Sequence, residues 1–189
     1  MPNLRGEKVL LRPYRAEDLH DICAWANDTE TTQYLSRIFW FPQTAQDTEG
    51  FLNMMLTPSR DRAAFVMADP VTEEYWGQVD VFTIDWQNRA GEIGMVMGKS
   101  DMRSRGIGTE ALMLLQDYVF GTLGLHRVEI EVHADNARAR RCYEKAGFRE
   151  EGRQKDKVYK QGHWVDMIKL AMLRGEWDAL RGRKEEADV

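Results

Sequence analysis

Hydrophobic and polar positions recur along this chain with periods that set out most of its elements. Val9, Leu10 and Leu11 make a short apolar run within residues 8–12, stopped by Pro13, which reads as a first strand. From 16 to about 27, Leu19, Ile22, Cys23 and Ala26 fall on one face of a helix. Residues 34–42 lack a period and carry four aromatics, among them Phe39, Trp40 and Phe41. A second helix is predicted over about 43–56, burying Phe51, Leu52 and Met55. Residues 63–68 and 76–86 are strand-like, and the Pro70-containing turn between them predicts an antiparallel hairpin. A tight connection over 87–91 leads into a strand where Ile93, Met95 and Met97 alternate with Gly94, Val96 and Gly98. A polar turn (99–101) and a helix through 109–120 follow, ended near Gly121 and Gly124.

Residues 126–133 form another strand, with Val128, Ile130 and Val132 on one face. The strand–helix–strand crossover makes it parallel to the strand before it. A further helix is capped by Asp135 or Asn136 and ended by Gly147 in a left-handed conformation. Residues 155–160 and 164–173, joined by 161–163, read as a closing hairpin, and 176–189 turn charged and fray at the end. Three antiparallel strands entering a strand–loop–helix unit define an α+β fold with a mixed sheet, not a doubly wound one.

Composition narrows the class. A chain of 189 residues is expected to be a single domain over 1–175 with a charged extension over 176–189. Apolar content of 43% and charged content of 30% are those of a soluble globular protein. No apolar run is long enough for a membrane span, and the N-terminus has no apolar signal core, so a cytoplasmic protein is expected. Cys23 and Cys142 make no disulfide framework and read as buried thiols. A net charge of −5 argues against nucleic acid as a partner and suits a cationic small substrate. Monomer and homodimer are equally compatible with these patterns.

The candidate chemistry sits where the strand over 91–98 hands over to the next helix. Arg103-Ser104-Arg105-Gly106-Ile107-Gly108 precedes Thr109, the first residue of the helical pattern. Glycines let the backbone approach a bulky anion, and a first helical turn offers unpaired N–H groups and the positive end of the helix dipole. Arg103 and Arg105 add charge beside it. A P-loop is excluded because no lysine follows Gly108, and a dinucleotide fingerprint because a charged turn separates strand from glycines. The alternative is an ordinary glycine-containing turn.

Arg103-x-x-Gly106-x-Gly108 resembles the pyrophosphate loop of the GNAT acetyltransferase superfamily. Asn136-x-x-Ala139-x-x-x-Tyr143-x-Lys145-x-Gly147-Phe148 is similar to that superfamily's second block, in the right order and spacing. The ending, from Gly147 to Gly152 and then Gly162-His163-Trp164-Val165-Asp166, is similar to the branch of ribosomal-protein N-terminal acetyltransferases and spermidine acetyltransferases. The resemblance covers Val9 to about Leu173. It implies a mostly antiparallel sheet of about seven strands, flanked by helices and splayed open in the middle, with acetyl-CoA as co-substrate in the gap.

What the resemblance implies for single residues follows. Met95, Val96 and Met97 offer a strand edge to the pantetheine arm, with a backbone N–H near Val96 or Met97 for the thioester oxygen. Ser104, Ile107 and Thr109 join the glycines and arginines of the loop in holding the diphosphate, and Asn136, Ala139 and Arg140 hold the cofactor from the second helix. Tyr143 stands where a donor to the CoA sulfur belongs; the alternative is a core tyrosine. Glu92 is a candidate general base or a solvated strand-end glutamate, with Glu129 and Glu131 in reserve. Trp40, with Phe39 and Phe41, and Asp85-Trp86 are candidates for the amine pocket, since aromatic faces and a carboxylate suit a cation.

The reading is an acetyl-CoA-dependent N-acetyltransferase working by direct attack, without a metal, on a protein or peptide N-terminal amine. A polyamine, an aminoglycoside or another small amine is the alternative acceptor, and a non-catalytic CoA-binding sensor the alternative class. An acetyl-cysteine intermediate on Cys142 is rejected, because helix neighbours point ~100° apart and no histidine sits nearby in sequence.

Overall fold

The computed structural model describes residues 3–187, with side chains through 182. Strands β1 (Leu4–Arg5), β2 (Leu10–Arg12), β3 (Ala63–Ala68), β4 (Tyr75–Asp85), β5 (Ala90–Met97), β6 (Arg127–His133), β7 (Arg149–Lys160) and β8 (His163–Leu173) form one sheet in the order β1-β2-β3-β4-β5-β6-β8-β7. All pairs are antiparallel except β5–β6. Helices α1 (Leu19–Ala26), α2 (Thr29–Thr32), α3 (Ala45–Leu56), α4 (Ile107–Gln116), α5 (Ala137–Lys145) and α6 (Arg174–Ala187) flank it.

Two apolar layers explain the arrangement. Val79, Val81, Ile93, Val128 and Ile130 face one way and pack with Ala111, Leu112 and Leu115 of α4, Tyr143 of α5 and Trp177 of α6. Ala64 and Val66 face the other way, against Ile22 and Trp25 of α1 and Leu52 of α3. Alternation along each strand delivers side chains to both layers, and each fully buried leucine or phenylalanine is worth about 1.5–3 kcal/mol.

The parallel β5–β6 pairing covers only Ala90–Glu92 against Arg127–Glu129. Beyond Glu92 the two strands diverge, while β5 stays paired with β4 as far as Met97. The expected splay is therefore present, and one edge of β5 is left without a strand partner.

Departures from the sequence expectation have local causes. The sheet has eight strands because β1 is two residues long, too short to show a period. Residues 16–18 form a 3-10 turn before α1, and Asp28 caps the extra one-turn helix α2 through the Thr31 N–H. Residues 37–40 form a 3-10 turn. β7 starts at Arg149, earlier than the hairpin predicted from 155, because it is a bulged, largely exposed edge strand with no apolar alternation. The helix predicted to 120 widens into a π-helical turn over Asp117–Thr122, where the Leu123 N–H donates to the Tyr118 carbonyl. The stretch from 176 is helical: Trp177 stacks on Phe120 and donates to Asp117 at 3.0 Å. The fraying expected at residues 188–189 lies outside the described residues.

Candidate active site

The splay opens a cavity of about 380 Å³ between the β5 edge, the loop before α4 and the start of α5. Met95, Val96 and Met97 line it, as do Ser104, Gly106, Gly108 and Thr109, and Asn136, Ala139 and Tyr143. These residues, drawn from 95–109 and 136–143, converge as the two motifs require.

The loop conformation comes from two left-handed residues, Ser104 (φ 62°) and Gly106 (φ 84°), the second serving as N-cap of α4. They turn the chain so that the first turn of α4 aims its N–H groups at the cavity mouth, an anion site by geometry and dipole. Gly108 has a different reason: a Cβ there would sit 3.3 Å from Cys142 Sγ and 3.3 Å from Met95 Cε. It lets α4 close onto α5 and the strand edge.

Other predicted loop residues are placed differently. Ile107 is buried in the core and contributes only its backbone. Arg105 is exposed and lines no cavity. Arg103 borders the cavity, but its guanidinium is bound to Glu30 at 2.5 Å and Thr31 Oγ1, so its charge anchors the loop to α2. On α5, Arg140 faces away beside Glu144; Arg138, Arg141 and Lys145 face the cavity instead, at helical spacing. A further cation missed in the sequence is Lys8, whose Nζ lies 3.4 Å from where a Gly106 Cβ would be. Only a pairing of the N-terminus with α4 brings it there, through Glu110, which accepts from the Lys8 N–H.

Asn136 caps α5, accepting from the Ala139 N–H at 3.1 Å, and lines the cavity as well. Tyr143 is 5% exposed, packed edge-on to Phe148, and its hydroxyl makes no hydrogen bond among the described residues. Burial pushes its pKa well up, so it stays a protonated donor across the physiological range. Cys142 is also raised by burial and borders Thr109 Oγ1 at 3.4 Å; neutral thiol is its state.

A second cavity, about 390 Å³, lies on the α1–α3 side of the same splay. The two share Tyr34, Leu35, Met95, Val96, Glu131 and Tyr143, so they meet at one wall. Trp25, Phe39 and Phe51 supply apolar surface and Asp47, Asp80, Glu92 and Glu131 the carboxylates. Glu92 is raised by burial and then by Glu131 and Glu129. Beyond it a third hollow, about 300 Å³, holds Glu92, Glu129, Glu131 and Glu151 with Arg127 and Lys169.

Of the amine-pocket candidates, Phe39 lines this cavity and the others do not. Trp40 is 57% exposed beside it. Asp85 and Trp86 lie at the far end of β4: Asp85 caps the turn through Asn88, and Trp86 donates to the Arg60 carbonyl. Tyr34 and Asp80 were missed. Tyr34 falls in an aperiodic stretch, and Asp80 lies within the strand-like 76–86 run with no local signal that α1 and α3 cover it.

A mixed sheet split between parallel neighbours, with a glycine-bearing helix N-terminus at the split, defines an acetyltransferase fold of the GNAT type. The family model described as Acetyltransferase (GNAT) domain matches residues 8–149, and this chain belongs to that family of N-acetyltransferases. N-acetyltransferase p20 of Bacillus licheniformis is 27% identical over 94% of this chain and 99% of its own. YdaF of Bacillus subtilis, whose name refers to ribosomal N-acetyltransferase activity, is 34% identical over 54% of this chain and 55% of its own. The fold is that of spermidine N-acetyltransferase from Vibrio cholerae in complex with CoA and spermine: TM-score 0.79, 22% identity, covering 91% of this chain and 99% of that one. Among the described residues no helix is long and apolar enough to cross a membrane.

Proposed function

We propose that this protein transfers the acetyl group of acetyl-CoA to the α-amino group of a peptide or protein by direct attack. The reading rests above all on the shared wall. Tyr143 and the Val96 strand edge border both chambers, so a thioester reaching inward from the α4 loop and an amine entering from the α1–α3 side would meet beside one hydroxyl donor.

The roles follow from the surroundings. Backbone N–H groups of 106–109, with Arg138, Arg141 and Lys8 near them, hold the diphosphate. The unpaired β5 edge takes the pantetheine arm as an added strand, and its N–H near Val96 or Met97 polarises the thioester carbonyl. Tyr143 donates to the leaving sulfur. A chamber carboxylate takes the ammonium proton, with Glu92 among the candidates.

A single-ammonium acceptor is favoured because the outer carboxylates are already engaged. Glu131 pairs with Lys169 at 3.1 Å, and Glu151 with Arg127 at 2.9 Å. A polyamine is the second reading: the outer hollow still carries four glutamates against two cations.

The test is thiol release from acetyl-CoA across peptides of different N-terminal residue, spermidine and an aminoglycoside. Release with peptides that falls in Tyr143→Phe supports the proposal. Release with spermidine alone transfers it to the second reading, and CoA binding without turnover on any amine makes the protein a sensor.

A further inference from the structure

Resting on that reading, we infer that Asp80 is the group that takes the proton from the incoming amine, and that Tyr14 is its positioning residue. Asp80 projects from β4 onto the face covered by α1 and α3, and lines the acceptor chamber while only 7% exposed. Its cross-strand partner on β5 is Gly94. Residues so paired stand ~5 Å apart at Cβ. Because Gly94 has no side chain, the only group over it is the Phe82 ring of β4, 3.4 Å from where a Cβ would sit. This apolar wall leaves the carboxylate on the chamber side.

The carboxylate is held in place without being neutralised. The Tyr14 hydroxyl donates at 3.1 Å to its oxygens and the Phe65 N–H donates to Oδ1 at 3.0 Å. Among the described residues no cation bonds it: Arg62, whose charge acts on it from a distance, is bonded to the Met54 and Thr57 carbonyls. Tyr75 and Gln78 of β4, Glu92 of β5, Glu131 of β6, Tyr34, Asp47 of α3 and Tyr143 of α5 are the other polar groups around this space. The other acids are worse placed. Asp47 is fixed in the capping box of α3, Glu131 holds Lys169, and Glu92 opens on the outer hollow. Burial pushes Asp80 up to about 7, opposed by its bonds from Phe65 and Tyr14, which places it where a base works at neutral pH.

The step balances. The ammonium N–H bond breaks and its proton moves to Asp80. The freed amine forms the C–N bond to the acetyl carbon as the C–S bond breaks. The thiolate takes a proton from Tyr143, which is restored from the nitrogen of the new amide through water, and Asp80 releases its proton to solvent.

The experiment measures thiol release against pH for the full chain with an alanine-initiated hexapeptide, spermidine and hydroxylamine, which is neutral at pH 7 and needs no base. Asp80→Asn is expected to lower kcat with the protonated amines by about 100-fold and with hydroxylamine by less than about tenfold. CoA affinity of this variant serves as its folding control. Tyr14→Phe removes a bond to the ionised carboxylate, so the rising limb of kcat against pH moves to higher pH while the plateau stays within about threefold. If Asp80→Asn does not fold, the Tyr14→Phe limb decides. Equal losses with both kinds of amine, an unmoved limb in Tyr14→Phe, or loss of the limb in Glu92→Gln instead would overturn the assignment. A wild-type protein that releases no thiol with any amine removes the acetyl-transfer reading itself, and the assignment with it.

Discussion

The two chambers that meet at Tyr143 are of nearly equal size, about 380 and 390 Å³, yet they are built in opposite ways. The proposed cofactor side is built largely on main chain, a strand edge, two left-handed residues and a helix N-terminus in one continuous stretch, with one face of α5 closing it. The acceptor side is made of side chains from α1, α3, β4, β5, β6 and the 34–43 segment. Backbone geometry needs glycines at fixed offsets and tolerates little else, whereas a side-chain wall can be rebuilt residue by residue. One fold can thus keep its cofactor and change its acceptor.

Variants on either side sharpen this contrast. Tyr143→Phe, at the shared wall, is expected to lower kcat by about 100-fold while leaving CoA affinity within about twofold, measured by thiol release and calorimetry. Gly106→Val forces a β-branched residue into a left-handed conformation and should weaken CoA binding by about 30-fold, with little change at the acceptor side. The pair Arg138→Ala with Arg141→Ala should weaken CoA by about tenfold, whereas Arg140→Ala should change it by less than about twofold. That comparison breaks the assignment of the α5 cations if the order reverses.

The acceptor side also predicts a stability effect of definite sign. Asp80 titrates near 7 when folded and near 3.8 as a free carboxyl, so the native state binds the extra proton between those values. The contribution of Asp80 to stability therefore falls as pH rises from about 4 to about 7 and is flat above, a slope read as the difference between wild type and Asp80→Asn. At pH 8, Asp80→Asn removes a buried charge and should raise stability by about 2 kcal/mol, a Tm gain of roughly 4–8 °C by calorimetry. The smallest effect is expected at Trp86→Ala, whose side chain lies in the β4–β5 hairpin: acceptor KM within about twofold of wild type.

The same contrast decides what could be read from the chain. The 103–109 loop and Asn136–Phe148 were legible because residue type and spacing there are dictated by backbone conformation and one helix face. Tyr34 and Asp80 were not: Tyr34 sits in an aperiodic connection, and nothing local tells an outward strand position such as that of Asp80 from one roofed by distant helices. Trp40 and Trp86 had suitable chemistry and the wrong place, and aromatic content alone carries no direction. Arg140 missed by one helical step, and Lys8 needed a tertiary pairing between the β1–β2 turn and α4.

Tyr34 carries a last consequence. Its ring lies under Lys160 Nζ at 3.7 Å and edge-on to His133, and Lys160 is tied to Asp135 at 2.7 Å. These braces come from the tip of the β7–β8 hairpin and the end of β6, outside both hollows. The partition is held upright by side chains that belong to neither chamber. Under the proposed direct attack, such a brace predicts entry in either order to a common ternary complex, read from intersecting initial-rate plots.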